Sequence, residues 1–335
     1  MEERIRERYS DLILERALAV YGINRDTIKP LDGFESYLYQ FQRSGEEGIL
    51  RISHSIRRSP DMIRAELDWI DYLYQAGVGV SKPLRSLEDS WVESLADGEG
   101  GCFLTAAFQK ASGEPHSGLD WSDELLREYG YQIGSMHKLA TTYQPSNPAW
   151  RRPAWNDPIH HEVEAFIPDR DSKIRRLFRE TIRHISKLPV EKNAYGLIHQ
   201  DPHQGNFFVD QGGKITFFDF DDSSYSWFVE DIALALFYAV MGQKDPPGFT
   251  ERFLIGFLPG YFAAYPLELK WFQEIPLFMK MRELDLYAVI HRSFDVENLK
   301  DPWCIWYLDG RTDRLLAGKP YLEFDFKGFD YAAYR

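Results

Sequence analysis

Residues 199–206 read His199-Gln200-Asp201-Pro202-His203-Gln204-Gly205-Asn206, a polar stretch between two apolar ones. The run before it, residues 195–198, predicts a buried strand, and so does the run after it, residues 207–209. Pro202 and Gly205 exclude a regular helix through the stretch, because proline lacks a backbone N–H and glycine is flexible. The sequence therefore predicts a loop that presents a carboxylate and an amide between two strands.

A further carboxylate, Asp219, follows thirteen residues after Asn206. Asp210-Gln211-Gly212-Gly213 predicts a turn, and residues 214–220 predict the second strand of a hairpin. This hairpin would bring Asn206 and Asp219 together at its open end, beside the carboxylate of Asp201. Oxygen ligands of this kind suit Mg2+. The alternative is a hairpin whose polar residues at the open end only cap or turn the backbone. The combination of loop, hairpin and spacing disfavours this alternative.

These motifs resemble the aminoglycoside phosphotransferase and choline kinase superfamily, which has a protein-kinase-like fold. The loop has the His-x-Asp-x-x-x-x-Asn pattern of kinase catalytic loops, and Phe218-Asp219-Phe220-Asp221-Asp222 follows it. The resemblance runs from about residue 33 to about residue 292. Within the superfamily, the chain looks like the long variant that includes homoserine kinase type II and the bacterial stress-response kinases. Gln200 stands where this superfamily often has Gly.

The resemblance implies an ATP-dependent phosphotransferase that uses Mg2+. Asp201 would be the catalytic group that accepts the proton of the attacking hydroxyl. His199 would be a second residue of the catalytic loop, fixing its backbone geometry. Asn206 and Asp219 would be metal ligands. Asp221 would either help to hold a second metal or cap a turn.

A nucleotide site is expected in the first part of the chain. The turn from Gly33 to Ser36 is the candidate phosphate loop, although it has one glycine and could be an ordinary hairpin turn. Arg51 stands where the superfamily has a lysine on its third strand, and would bind phosphate. Glu66, on the next helix, would orient it, the alternative being a surface salt bridge. Backbone groups of the hinge around Gln109 would contact adenine.

The expected fold class is α+β, a two-lobed protein-kinase-like fold with a small antiparallel β lobe and a larger, mainly helical lobe. Residues 1–108 would form the nucleotide-binding lobe with a leading helix, and residues 109–115 the hinge. Residues 116–335 would form the helical lobe with the catalytic loop and the metal-binding hairpin. A continuous helix is predicted over residues 159–188. The aromatic-rich tail after Asp309 is expected to dock onto the protein.

Composition narrows the class of protein. The chain has 335 residues, 44% hydrophobic, which indicates a folded protein with a large core. A formal net charge of −13 argues against general binding to nucleic acid or membrane surfaces. Cys102 and Cys304 form neither a zinc set nor a disulfide framework. We expect a cytoplasmic protein, because no signal peptide or membrane span is apparent.

The expected partner is a small-molecule alcohol of the amino alcohol, sugar or aminoglycoside class, and the acidic balance slightly favours an amine-bearing one. Eleven residues separate Asp219 from Asp231 and no Ala-Pro-Glu follows, so the segment on which protein kinases hold a peptide is missing. A protein Ser/Thr kinase of the stress-response type is one alternative. A catalytically silent kinase-fold binding or coat protein is the other. The sequence does not predict the oligomeric state.

Asp231 and a group of charged residues on the late helix are further candidates for the site. Asp231 resembles the Asp that, in the superfamily, accepts hydrogen bonds from the catalytic loop. The charged residues of the late helix (Arg282, Glu283, Asp285, His291 and Arg292) occupy the region where relatives recognise their acceptor. A solvated charged face is the more common explanation of such a pattern, and is what we expect here.

Overall fold

A computed structural model describes residues 3–118 and 120–335, and leaves the side chains of residues 161 and 162 undescribed. Its residues divide into two units, each built from separate stretches of the chain. The first consists of residues 1–116, 142–152 and 205–222, and the second of residues 117–141, 153–204 and 223–335.

The first unit is built on an antiparallel sheet. Its strands lie in the order β1-β2-β3-β6-β4, and β5 also pairs with β6. They are β1 Lys29–Leu31, β2 Tyr37–Arg43, β3 Glu46–His54, β4 Pro83–Leu84, β5 Glu93–Ala96 and β6 Cys102–Gln109. The helices of this unit are α1 Glu3–Arg6, α2 Asp11–Tyr21 and α3 Pro60–Gln75. The sheet and the leading helix agree with the predicted β lobe.

Helix α3 begins where the sequence provides both a cap and a proline. The Ser59 side chain accepts a hydrogen bond from the backbone N–H of Met62, and Pro60 occupies the first turn, where its missing N–H costs nothing. The helix buries Ile63, Leu67 and Ile70. Glu66 lies on the same buried side of the helix, so this packing also fixes the position of its carboxylate.

The predicted hairpin is present, but it belongs to the first unit. Strand β9, Phe207–Val209, pairs antiparallel with β10, Ile215–Phe217, and with the short strand β7, Glu114–Pro115. Phe217 also bridges Val80. These pairings explain two differences from the expected domains: the hairpin does not group with the helical residues, and the expected hinge 109–115 contains a strand.

The second unit is mainly helical and has one two-stranded sheet. Its strands are β8 Tyr195–Ile198 and β11 Ser224–Trp227, which pair antiparallel. Its helices are α4 Asp123–Ala140, α5 Pro158–His161, α6 Ser172–Ile185, α7 Phe228–Ala239, α8 Pro246–Ala264, α9 Ile275–Ser293, α10 Pro302–Leu308 and α11 Arg311–Leu316. No helix in the described residues is long and apolar enough to cross a membrane.

The core of the second unit centres on α7, whose residues are all buried. The aromatic tail docks onto this unit, as the sequence predicted. Tyr321 stacks on Phe237 of α7 with ring centroids 4.0 Å apart. Tyr331 stacks on Phe272 at 4.9 Å and is itself buried. Helices α4 and α8, which pack against each other closely at glycines, complete this side of the core.

Candidate active site

The loop that carries Asp201 is held in the second unit by backbone hydrogen bonds. The N–H groups of His199 and Gln200 donate to the Asp231 carboxylate at 2.9 and 2.8 Å. Gln200 has a φ of 72°, in the left-handed region that non-glycine residues rarely adopt. Glycine, common here in the superfamily, adopts this conformation without strain. The hydrogen bonds that the sequence predicted between the loop and Asp231 are present, with Asp231 as the acceptor.

A buried polar network supports Asp231 in turn. His137 of α4 places Nε2 3.3 Å from the Asp231 carboxylate and Nδ1 2.9 Å from the Tyr261 hydroxyl. Its ring stacks on Phe228, with centroids 4.6 Å apart. Burial lowers the pKa of His137, although Asp231 acts in the opposite direction. A neutral imidazole bonded at both nitrogens fixes the carboxylate, and through it the loop.

His199 is buried beneath the loop. Its Nδ1 lies 3.3 Å from the backbone N–H of Asp201, the geometry of a hydrogen bond in which the imidazole accepts. A contact of this kind is expected of a residue that fixes the backbone geometry of the loop, and this role of His199 stays a prediction.

Asp201 is surrounded by cationic and polar groups of the same unit. Arg282 of α9 donates from Nη2 to Oδ1 of Asp201, and His203 Nε2 lies 3.2 Å from Oδ2. Burial would raise the pKa of Asp201, but His203 and Arg282 outweigh it and hold that pKa well below its usual range. The carboxylate is therefore ionised at neutral pH and can accept a proton.

The prediction that the charged residues of α9 face solvent is wrong for Arg282 and Glu283. Arg282 contacts Asp201, as described above. Glu283 is buried, and its carboxylate forms ion pairs with Arg311 at 2.8 Å and with Lys280 at 3.0 Å. A buried carboxylate needs such partners to offset its lost hydration. The run of charges in the sequence did not reveal this, because partners distant in sequence decide burial.

Asn206 and Asp219 lie at the open end of the hairpin, where the sequence predicted them. The backbone N–H of Phe218 donates to the Asn206 carbonyl at 2.9 Å, which extends the pairing to the residue before Asp219. Asp219 has a φ of 62°. Burial and the neighbouring Asp221 carboxylate raise the pKa of Asp219 to about 7. A carboxylate beside another is a site that a cation would stabilise.

The Asp221 carboxylate is engaged by an arginine. Its Oδ2 lies 3.1 Å from Arg58, which also pairs with Asp222 at 2.9 Å. Arg152, fully buried, donates to the backbone carbonyl of Asp221. Burial would raise the pKa of Asp221, but Arg58 and the neighbouring arginines hold it well below its usual range. A metal-binding role for Asp221 stays a prediction, and the ion pair gives it a second role.

The hairpin residues suit Mg2+, which completes its coordination shell with water and phosphate oxygens. They suit less well a metal that is coordinated by protein side chains alone. Among residues 3–118 and 120–335, no three His, Cys, Asp or Glu side chains form a group that could hold a metal. Mg2+ usually takes one or two carboxylates and completes its shell with water and phosphate oxygens. An amide and a carboxylate, Asn206 and Asp219, suffice for such a site.

Arg51 and Glu66 form a buried, two-fold hydrogen-bonded ion pair. The guanidinium donates from Nη1 and Nη2 to the two carboxylate oxygens at 2.8 and 2.6 Å. Burial alone would lower the pKa of Arg51, but Glu66 raises it well above the usual value. The alternative of a surface salt bridge is wrong, because the two side chains are only 8% and 0% exposed. Arg51 is therefore permanently charged and fixed in direction.

The turn from Gly33 to Ser36 is tight enough to require glycine. A Cβ at position 33 would lie 2.2 Å from the Ser36 carbonyl oxygen. Within the turn, Glu35 forms an ion pair with Arg57. The backbone N–H of Gln109, the residue expected to contact adenine, already donates to the Lys82 carbonyl at 2.8 Å. An adenine contact at Gln109 stays a prediction, and would use another backbone group.

Sequence reasoning missed a second network beside the catalytic loop. The Gln200 side chain donates to Glu230 at 2.9 Å and accepts from Ser224 at 2.7 Å. Ser226 donates to the other oxygen of Glu230. Burial raises the pKa of Glu230 to about 7, despite these hydrogen bonds. The signal in the sequence was weak: a polar side chain at a position usually occupied by glycine.

The antiparallel sheet with its buried Arg–Glu pair, and the helical unit with its Asp-bearing loop, define a kinase-like phosphotransferase. Residues 27–267 match the phosphotransferase enzyme family, and the chain belongs to that family. The predicted superfamily, fold class and class of enzyme are thereby confirmed. The branch within the superfamily and the roles of individual site residues stay predictions.

Two relatives resemble the chain along nearly its whole length. It is 35% identical over 322 residues to amicoumacin kinase of Bacillus subtilis (strain 168), which covers 95% of both chains. A solved structure of amicoumacin kinase hAmiN in complex with AMP-PNP, Ca2+ and Ami superposes with a TM-score of 0.92. There the identity is 32%, and the match covers 97% of this chain and 99% of the other.

A more distant structure shares the fold alone. The microcompartment-associated aminopropanol kinase superposes with a TM-score of 0.72 at 19% identity, covering 92% of this chain and 98% of that one.

Proposed function

We propose that this protein transfers the γ-phosphoryl group of ATP to a hydroxyl of an amine-bearing small molecule of the amicoumacin type. End-to-end similarity to amicoumacin kinase, at 35% identity over 95% of both chains, carries the proposal. The aminopropanol kinase, which is named for an amino alcohol, shares the fold of this chain. The net charge of −13 suits a cationic acceptor. A cytoplasmic location, where ATP is available, is part of the same proposal.

Asp201 is assigned the proton transfer. The acceptor's O–H proton passes to the Asp201 carboxylate as the alcohol oxygen bonds to the γ-phosphorus. The bond from that phosphorus to the bridging oxygen breaks, and ADP leaves. Because the Asp201 carboxylate is ionised, it is ready to accept this proton at neutral pH. Orientation of the hydroxyl and stabilisation of the transferring group supply most of the rate.

The first unit is assigned the nucleotide and the metal. Asn206 and Asp219 would hold Mg2+, which neutralises charge on the phosphates. Arg51, directed by Glu66, would bind phosphate oxygens. Backbone groups at the Gly33 turn, together with Ser36, would cover the phosphates. Asp221 would support the metal site through its pairing with Arg58.

The alternatives are less well supported. A protein Ser/Thr kinase would need a longer segment after Asp219 to hold a peptide, and here that segment soon becomes strand β11. A catalytically silent binding protein would have no need to retain Asp201 together with Asn206 and Asp219, the residues assigned to Mg2+.

The test is ATP consumption with Mg2+ against a panel of acceptors. The panel contains amicoumacin, aminopropanol, an aminoglycoside, a sugar and a generic protein substrate. We expect turnover with amicoumacin, and a fall of about 100-fold or more in kcat for Asp201→Ala with nucleotide binding retained. Binding of AMP-PNP, followed by calorimetry, provides the control that the variant is folded.

Three outcomes would contradict the proposal. Near-normal turnover by Asp201→Ala would remove the role of that residue. Transfer to the protein substrate alone would support the protein kinase alternative. Binding of AMP-PNP without transfer to any member of the panel would favour the silent binding protein.

A further inference from the structure

Arg282 of α9 is fixed by three partners, all in the second unit. Its Nε donates to the Tyr238 hydroxyl at 2.8 Å, and its Nη1 lies 3.2 Å from the Asp285 carboxylate. The guanidinium lies 5.3 Å from the centre of the Tyr238 ring. These two anchors leave Nη2 directed at Oδ1 of Asp201, to which it donates.

The contact constrains Asp201 without sealing it off. Oδ1 of the carboxylate accepts from Arg282, while Oδ2 faces His203. Each carboxylate oxygen has two acceptor sites, so these two contacts do not by themselves exclude a hydroxyl. The Asp201 side chain is 17% exposed, which leaves a path for an acceptor. A planar guanidinium fixes the rotation of the carboxylate in a way that a lysine ammonium, a point charge, does not.

We propose that Arg282 is a positioning residue for phosphoryl transfer, holding the Asp201 carboxylate so that it meets the acceptor hydroxyl from one direction. The proposal rests on the proposed function. Arg282 also provides positive charge that keeps Asp201 ionised despite its partial burial. The same contact therefore governs the rate and the lower end of the pH range in which the enzyme works.

The surroundings of Asp201 fix the direction of the pH effect. The titratable and charged groups around it include His199 and His203 of the loop, Arg282 with its partner Asp285 on α9, Tyr238 of α7 and Tyr129 of α4. With Arg282 neutralised, burial and the Asp285 charge would raise the pKa of Asp201 towards its usual value, while His203 would still act to lower it. The acidic limb of the kcat profile would move to higher pH.

The test compares Arg282→Met, which removes the charge, with Arg282→Lys, which keeps the charge and loses the planar fork. For Arg282→Met we expect kcat to fall about 100-fold and the acidic limb of kcat to move up by about 1–3 pH units. The KM for ATP should stay within about two-fold. Arg282→Lys should restore the position of the limb but only part of kcat. Arg252→Met, an exposed arginine of α8, is the matched control.

The proposal would be overturned if Arg282→Met kept both the wild-type kcat and pH profile while Asp201→Ala was inactive. It would also be overturned if both Arg282 variants lost activity equally with an unshifted pH profile, since that indicates a purely structural role. Should Arg282→Met not fold, Tyr238→Phe removes the Nε anchor alone. We expect this variant to lower kcat about ten-fold, and an unchanged kcat would count against the proposal. Activity of Asp201→Ala would instead refute the proposed function.

Discussion

At the scale of single residues, three carboxylates of the candidate site differ because their neighbours differ. Arg282 and His203 hold the pKa of Asp201 down, against the effect of burial. Burial and a neighbouring carboxylate raise the pKa of Asp219 to about 7. Burial also raises that of Glu230 to about 7, where its partners are neutral hydroxyl and amide groups. All three side chains are carboxyl groups, and the burial and charge around each one decide whether it is protonated.

Glu230 should make the stability of the protein depend on pH. Its pKa is about 7 when folded and near 4.5 when unfolded. Between these values the folded state binds more protons than the unfolded state, so the free energy of unfolding falls as pH rises from about 4.5 to about 7. Glu230→Gln keeps the hydrogen-bonding shape without the charge. We expect its stability relative to wild type to increase by roughly 1–3 kcal/mol between pH 5 and pH 8.

Urea unfolding of both proteins at the two pH values measures this difference. Effects of Asp219 and other titrating groups occur in both proteins and cancel in the comparison. Parallel pH profiles for the wild type and Glu230→Gln would show that Glu230 is charged when folded.

At the scale of elements, helices α4 and α8 pack closely through glycines. A Cβ at Gly130 of α4 would lie 2.1 Å from the Phe257 carbonyl oxygen. A Cβ at Gly260 of α8 would lie 1.8 Å from the Arg127 carbonyl oxygen. Backbone atoms cannot move aside as a flexible side chain can. Helix α4 also carries His137 and thus supports Asp231, so this packing reaches the catalytic loop.

Gly130→Ala should therefore destabilise the protein. In an ordinary helix this change stabilises by about 0.5–1 kcal/mol, because alanine loses less backbone freedom. Here we expect a loss of roughly 1–3 kcal/mol from overpacking, measured by denaturant unfolding. Lys138→Ala, an exposed position on the same helix, should change stability by less than about 0.5 kcal/mol. A stabilised Gly130→Ala would mean that the two helices can separate easily.

Turn residues and the spacing of apolar residues predicted some helices and strands correctly and others wrongly. The hairpin was predictable because its turn contains two adjacent glycines, which are typical turn residues. The continuous helix over residues 159–188 is wrong: the structure has α5 at Pro158–His161 and α6 only from Ser172. Pro168 interrupts the segment, since it lacks an N–H and restricts the residue before it. Strand β11 was missed because four residues, Ser224–Trp227, are too few for a clear alternation.

At the scale of the whole molecule, each unit is assembled from stretches that are far apart in the sequence. Asp201 belongs to the second unit, while Asn206 and Asp219 belong to the first. The sequence predicted these three residues through one local motif. It did not predict Arg282 as a partner of Asp201, because 81 residues separate them. Spacing reveals contacts within a motif, whereas contacts between distant elements depend on the packing of the complete chain.

The docked tail should contribute to the stability of the second unit. A chain that ends at Lys319 lacks the buried side chains of Leu322, Phe326 and Tyr331. Burial of such side chains contributes at most roughly 1.5–3 kcal/mol each. We expect the Tm of the shortened protein to fall by roughly 10 °C, measured by calorimetry. Full-length Glu323→Ala, altered at an exposed tail position, is the control and should have the Tm of the wild type. An unchanged Tm for the shortened chain would show that the docked tail adds nothing to stability.

The buried pair of Arg51 and Glu66 has a consequence for chemical labelling. A lysine at this position, as the superfamily has, can lose its proton and attack an acylating group carried by a nucleotide analogue. The guanidinium of Arg51 stays protonated at any ordinary pH and is no nucleophile. Amine-reactive ATP analogues would therefore find no target at position 51. A kinase of this kind would escape surveys that rely on modification of that lysine, even with nucleotide bound.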